Sequence, residues 1–276
     1  MFTLNSRGRE FKSEKPLVMG IVNCTDDSFY EGSRVTDRSQ LQKKIDAMIE
    51  MGVDIIDIGG QSTKPGSVQV SVEVELERIS FALEYLNAAY PATWVSIDTL
   101  QSEIAAYAVA HGAHIVNDVS GGDMDPNMIN TVAELDVPFV CTHMQGRPQT
   151  MQQNPQYDDV LEEVNTYFKH KIKACYDAGV RQVIIDPGFG FGKTITHNYT
   201  LVKMLEKIVE LGYPVLVGFS RKSMIYQLLN ITPNEALNGT TVLNTVALLK
   251  GAAILRVHDV KEAKETVELV AAIKKA

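Results

Sequence analysis

Eight short runs of β-branched and other apolar residues recur along the chain, and stretches with helical spacing of apolar side chains lie between them. The runs are Leu17–Val22, Val53–Ile58, Trp94–Ile97, His114–Val116, Pro138–Thr142, Gln182–Ile185, Val215–Phe219 and Ile254–Val257. Leu41, Ile45, Met48 and Ile49 follow the first with helical periodicity, as do Leu201, Met204, Leu205 and Ile208 the sixth. Gly52, Gly112, Gly179, Gly212 and Gly251 each stand just before the next run, where a helix ends on a left-handed residue. Strands apolar on both faces and joined by crossover helices form parallel sheets covered by helices. Eight of them predict a closed (β/α)₈ barrel, an α/β fold that accommodates all 276 residues as a single domain. No Pro- or Ser-rich linker divides the chain, and residues 1–15 read as an N-terminal extension capping the bottom of the barrel.

Composition narrows the functional classes. A net charge of −8 offers no basic excess for nucleic acid, although it permits a local cationic pocket. No run of 18 apolar residues occurs and the N-terminus has no signal-like apolar stretch, so neither a membrane span nor secretion is expected. The three cysteines, Cys24, Cys141 and Cys175, lack metal-ligand spacing; they read as buried small residues of a cytoplasmic protein.

In such a barrel the C-terminal ends of the strands build the site. Here they carry Asn23, Asp57, Asp98, Asn117 with Asp118, His143, Asp186, Ser220 with Arg221 and Lys222, and Arg256 with His258. Asp98 and Asp186 taken singly read equally well as turn or cap residues; the coincidence at all eight strand ends favours function. Asp98, Asn117 and Asp186 suit a flat heterocycle rich in N–H donors, guanine-like or pterin-like, with Lys222 donating to a ring acceptor. Arg256 and His258, two residues apart on one strand, suit a phosphate or diphosphate, and Asn23 a hydrated Mg²⁺ beside it. The segments Thr25–Asp37, Gly60–Ser71 and Gln145–Pro155 read as closing loops, the third equally as a bland surface loop. The stretch Asp186-Pro187-Gly188-Phe189-Gly190-Phe191-Gly192-Lys193-Thr194 lacks phosphate-loop spacing and reads as a glycine turn bringing Phe191 against a flat ligand. His143 lines that pocket or orients the loop after it.

Several stretches together resemble the dihydropteroate synthases. They are Met19 to Phe29, Asp57-Ile58-Gly59-Gly60-Gln61-Ser62-Thr63-Lys64-Pro65-Gly66, Ile115 to Gly121, Asp186 to Gly192, Gly218-Phe219-Ser220-Arg221-Lys222-Ser223 and Arg256-Val257-His258-Asp259. The likeness runs in order from Leu17 to the end. It implies condensation of 6-hydroxymethyl-7,8-dihydropterin diphosphate with p-aminobenzoate, giving 7,8-dihydropteroate and diphosphate, with sulfonamides as competitors. It implies a pterin pocket of Asp98, Asn117, Asp186, Phe191 and Lys222. Diphosphate and Mg²⁺ fall on Asn23, Thr63, Arg256 and His258, with Asp57 nearby, and p-aminobenzoate on Phe29, Thr63, Lys64, Pro65 and Ser223. The catalytic set is Asp98, Asp186, Lys222, Arg256 and His258, without a protein nucleophile. Homodimers are usual in the family, and Met224–Leu229 and Val242–Leu249 are the expected interface helices.

The chain departs from the family's pattern at Asp26, where proline is common, and at Gln61 and Lys64, where glutamate and arginine are common. Lysine keeps the charge and loses the planar fork. These changes touch the p-aminobenzoate side and leave the pterin and anion residues intact. Competing readings are a methyltetrahydrofolate-binding methyltransferase, a pterin-binding paralogue without condensation, and a barrel aldolase using Lys222.

Overall fold

A computed structural model describes residues 2–24, 34–62, 67 and 69–276 of the chain. A hairpin of β1 (Phe2–Ser6) and β2 (Arg9–Ser13) precedes eight parallel strands: β3 (Leu17–Asn23), β4 (Ile55–Gly59), β5 (Trp94–Asp98), β6 (Ile115–Asp118), β7 (Phe139–Thr142), β8 (Val183–Asp186), β9 (Leu216–Val217) and β10 (Ile254–Val257). Their order is β8-β7-β6-β5-β4-β3-β10-β9, and a parallel bridge from Ile185 to Val215 completes the ring. The chain is therefore the (β/α)₈ barrel its periodicity predicts. Helices α1 (Arg34–Glu50), α2 (Val72–Ala89), α3 (Ser102–Ala110), α4 (Met128–Leu135), α5 (Val160–Ala178), α6 (Ile195–Lys203), α7 (Leu205–Val209), α8 (Ser223–Leu229), α9 (Leu237–Leu249) and α10 (Val260–Lys275) surround it.

Side-chain alternation divides each strand between two cores. Val18, Ile56, Val95, Val116, Phe139, Val183, Val217 and Leu255 face outward into one cluster beneath the helices. Leu17, Met19, Ile55, Trp94, Ile115, Val140, Ile184, Leu216 and Ile254 fill the bottom of the barrel. Leu4 of the hairpin is 1 % exposed and joins that inner cluster, with Phe2 and Phe11 packed beside it. Residues 1–15 carry no strong alternation, so this hairpin is a feature that sequence periodicity missed.

The five glycines before the strands all take positive φ, from 78° at Gly52 to 99° at Gly179. Several boundaries differ from the sequence reading. The run Val215–Phe219 contributes only the two-residue β9, because Gly218 and Phe219 already lead into the turn that carries Lys222. Helix α1 begins at Arg34, inside a segment read as a loop. The segment Gln145–Pro155 is fastened down: Met151 is buried, and Gln152 Nε2 donates to the Gly190 carbonyl.

Candidate active site

Two residues beyond the inner apolar layer, the same inward face carries Asp57, Ser96, Asn117, Thr142, Asp186, Gly218 and Arg256. The barrel interior thus changes from hydrocarbon at the bottom to polar groups at the C-terminal end. Arg256 links the strands across it. Its Nε donates to Asp57 Oδ2 at 2.7 Å and its Nη2 to Asp98 Oδ2 at 2.5 Å. Asn117 Nδ2 donates to the same Asp57 oxygen at 3.1 Å. Gly59 lies beside Asp98, where an added Cβ would meet the Asp98 Cβ at 3.5 Å. Asp57 Oδ1, Ser96 Oγ, Asp98 Oδ1 and Thr142 Oγ1 are buried without hydrogen-bond partners. Such atoms cost free energy unless a ligand or water satisfies them, so they mark a polar binding surface.

Lys222 and Asp186 occupy the other side. The turn after β8 gives Gly188, Gly190 and Gly192 positive φ, and Asp186 Oδ1 accepts from Gly188 N at 2.8 Å. One Asp186 oxygen therefore has the turn role that the sequence allowed. Lys222 Nζ donates to the Phe189 carbonyl at 2.5 Å and stands 4.6 Å from the centre of the Phe191 ring. Phe191 is 8 % exposed and packs with Leu100, Val119 and Met151. Burial pushes the Lys222 pKa down to about 8 against the opposing pull of Asp186, and burial raises Asp186. Burial also pushes Asp98 up to about 7, opposed by Arg256 and reinforced by Asp57. The pterin set expected from the sequence, Asp98, Asn117, Asp186, Phe191 and Lys222, thus converges on one end of the barrel.

The proposed anion residues behave differently from one another. Arg256 points into the barrel toward two carboxylates. His258 lies just past β10 at the solvent-exposed rim, where its Nδ1 is 2.9 Å from Ser220 Oγ. Its own backbone N–H donates to that oxygen at 3.2 Å, and with the hydroxyl hydrogen directed at Nδ1 the ring carries its proton on Nε2. The crowded barrel mouth, then the charges of Lys44 and Arg256, hold His258 below the ordinary histidine pKa, so the ring is neutral at pH 7. Arg221, which the sequence placed among the mouth residues, turns away to a bidentate pair with Asp259 at 3.0 and 2.7 Å, and its φ is 55°. Ser223 is the first residue of α8. Asn23 ends β3 and is partly exposed. Phe29, Thr63, Lys64 and Pro65, with Asp26, lie outside the described residues.

Gln61 is buried and brackets the second loop: Val70 N donates to its Oε1 and its Nε2 donates to the Ser62 carbonyl, both at 2.8 Å. Sequence reasoning missed Ser96 and Thr142, although counting two residues on from the inner layer finds them. Among the described residues no group of three His, Cys, Asp or Glu side chains is placed to hold a metal, and no helix is long and apolar enough to cross a membrane.

The model of the pterin binding enzyme family matches residues 19–258. The dihydropteroate synthase of Escherichia coli K12 is 43% identical over 271 residues, covering 98% of this chain and 95% of that protein. A Yersinia pestis dihydropteroate synthase in a sulfonamide drug complex superposes with a TM-score of 0.92 at 38% identity, covering 99% of each chain. The Xanthomonas albilineans enzyme with 4-aminobenzoic acid gives 0.92 at 39% identity, covering 99% of this chain and 98% of that one. Its motifs, barrel and nearly full-length relatives show that this chain belongs to the pterin-binding enzymes, as a transferase of the dihydropteroate synthase family.

Proposed function

We propose that the enzyme condenses 6-hydroxymethyl-7,8-dihydropterin diphosphate with p-aminobenzoate to give 7,8-dihydropteroate and diphosphate, by a dissociative substitution at the pterin methylene. The observation that carries this reading is the group of buried Asp98, Asn117 and Asp186 with half-buried Lys222 beside them, and the unpartnered Asp98 Oδ1. Carboxylates accept from the ring's N–H groups, and Lys222 donates to a ring acceptor. As the methylene C–O bond breaks, the electron pair leaves with the diphosphate, and positive charge spreads into the ring beside Asp98 and Asp186. The amine nitrogen then bonds to the methylene and releases a proton to solvent.

Neutral His258 offers an Nε2–H, and Arg256 its positive charge, to the departing anion. Asn23 contributes one neutral amide oxygen, a donor set that fits a Mg²⁺ arriving with the diphosphate, whose oxygens and waters complete the shell. Bound there, Mg²⁺ would neutralise charge on the leaving group. On this reading p-aminobenzoate sits against Phe29, Thr63, Lys64 and Pro65 with its carboxylate toward Ser223, and sulfonamides compete for that position. The protein works in the cytoplasm as a homodimer. Exposed Leu228, Leu229, Val242 and Leu249 on α8 and α9 support that interface, whereas Met224, Ile225, Leu243 and Leu248 are buried in the protein's own core.

The test is diphosphate release with and without p-aminobenzoate, with product identification. Release that depends on p-aminobenzoate and yields dihydropteroate supports the synthase. Binding of the pterin diphosphate without that product identifies a non-condensing paralogue.

A further inference from the structure

Lys193 is the only lysine or arginine side chain among the described residues that is buried, at 3 % exposure, and the proposed reaction does not use it. No carboxylate among the described residues pairs with it. Its Nζ instead reaches His143 Nδ1 at 2.9 Å and the carbonyls of His143, Gly188 and Phe191 at 3.2, 3.1 and 3.1 Å. An ammonium with three donors is thus saturated by two loops: the start of the β7–α5 connection and the glycine turn after β8. Burial drives Lys193 down to about 7 against the pull of Asp186, and burial with the Lys193 charge drives His143 down to about 2. The imidazole is therefore neutral and presents an Nδ1 lone pair.

The two loops touch through backbone. A Cβ on Gly188 would lie 1.9 Å from the His143 carbonyl oxygen, and one on Gly192 would lie 2.2 Å from that of Gln145. Tyr157 Oη adds a hydrogen bond to the Gly192 carbonyl at 2.8 Å. On its other side the same turn offers Lys222 the Phe189 carbonyl and the Phe191 ring. Two lysines therefore grip one short turn from opposite sides, Lys222 in the pocket and Lys193 behind it.

We propose that Lys193 is a positioning residue for the heterocycle pocket: by tying the Gly188 and Phe191 carbonyls to His143, it fixes where the Phe191 ring and the Phe189 carbonyl stand, and so sets affinity for the pterin substrate and not for the arylamine. The inference rests on the reading of this site as a pterin pocket. A site whose supporting contacts are lost loosens while its contact residues remain present.

Lys193→Met keeps the stem and removes the donors. Calorimetric titration with 6-hydroxymethyl-7,8-dihydropterin diphosphate and Mg²⁺, alongside steady-state kinetics, is expected to show Kd and KM for that substrate raised about tenfold. KM for p-aminobenzoate, measured at saturating pterin substrate, stays within about twofold, because its residues lie on other loops. An unchanged Kd, or both KM values rising together, overturns the inference. Wild-type protein that fails to bind the pterin diphosphate overturns the functional reading, and the inference with it. If Lys193→Met does not fold, the decision passes to His143→Asn, whose amide oxygen replaces the Nδ1 acceptor, and His143→Leu, which has none. Wild-type Kd in the first with weakened binding in the second supports the inference; equal Kd in both overturns it.

Discussion

Arg256 Nη2 and Asp98 Oδ2 stand 2.5 Å apart, while Asp98 Oδ1 is buried without a partner. One carboxylate oxygen is committed to holding the strands together and the other is left to accept from a ligand. Asp98→Asn keeps the shape and puts a neutral amide where the proposed mechanism develops positive charge on the ring. We expect kcat/KM for the pterin diphosphate to fall roughly 10²- to 10³-fold, with the circular dichroism spectrum unchanged. Near-normal turnover removes Asp98 from the mechanism.

The same carboxylate sets a pH response in which stability and activity move in opposite directions. Burial pushes its folded pKa up to about 7, while the unfolded chain has the ordinary carboxylate value. Between those values the native state binds the extra proton, so this group's contribution to stability increases as pH falls and is lost as pH rises through the folded pKa. On the proposed mechanism the negative charge of the ionised form is what stabilises the positive charge on the ring. kcat/KM for the pterin substrate should therefore fall about tenfold per pH unit below neutrality. A profile flat from about pH 5.5 to 8 rejects this assignment.

Gly188 tests the contact between the two loops. Its φ of 67° and the 1.9 Å approach to the His143 carbonyl leave no room for a methyl group. Gly188→Ala should lose about 2 kcal/mol or more of stability. It should also weaken pterin binding, read by thermal melting and calorimetry on one sample. A melting temperature equal to wild type shows that the loops part without cost.

Leu4 makes the opposite prediction. It is 1 % exposed and sits in the bottom core, at the other end of the barrel from the polar layer. Leu4→Ala should cost about 2–4 kcal/mol in denaturant unfolding, with KM for both substrates unchanged. A shift in either KM reveals coupling along the barrel axis.

Sequence periodicity exposed the barrel because all eight strands are apolar on both faces, a pattern that few other folds require. It exposed Asp98, Asn117, Asp186 and Lys222 because strand ends are the one place where such a barrel gathers polar groups. The ion pairs of Arg256 were less legible: a strand's alternation gives the face of a side chain, whereas the carboxylates it pairs with, Asp57 and Asp98, come from β4 and β5, far away in the chain. The hairpin escaped notice because its sequence is mostly polar and Leu4 is its one fully buried apolar side chain, with Phe2 and Phe11 half-buried beside it. Lys193 escaped because a lysine closing a glycine turn looks like a solvated turn residue; nothing local announces that His143, fifty positions earlier, closes over it.

The barrel is stitched unevenly around its circumference. Strands β3 and β4 pair at five positions from Met19 to Asn23, whereas β9 pairs with β10 at two and meets β8 through the Ile185–Val215 bridge. This thin seam runs between the strand that ends in Asp186 and the one that leads to Lys222. A heterocycle held by both side chains, as proposed, would act as a rivet across it. Amide hydrogens beside the seam, such as Ile185 N on the Pro214 carbonyl and Ala253 N on that of Val215, should exchange faster than those of β3 and β4 in the free protein and slow the most when the pocket fills. Recognition of the ring and closure of the cylinder are then one event.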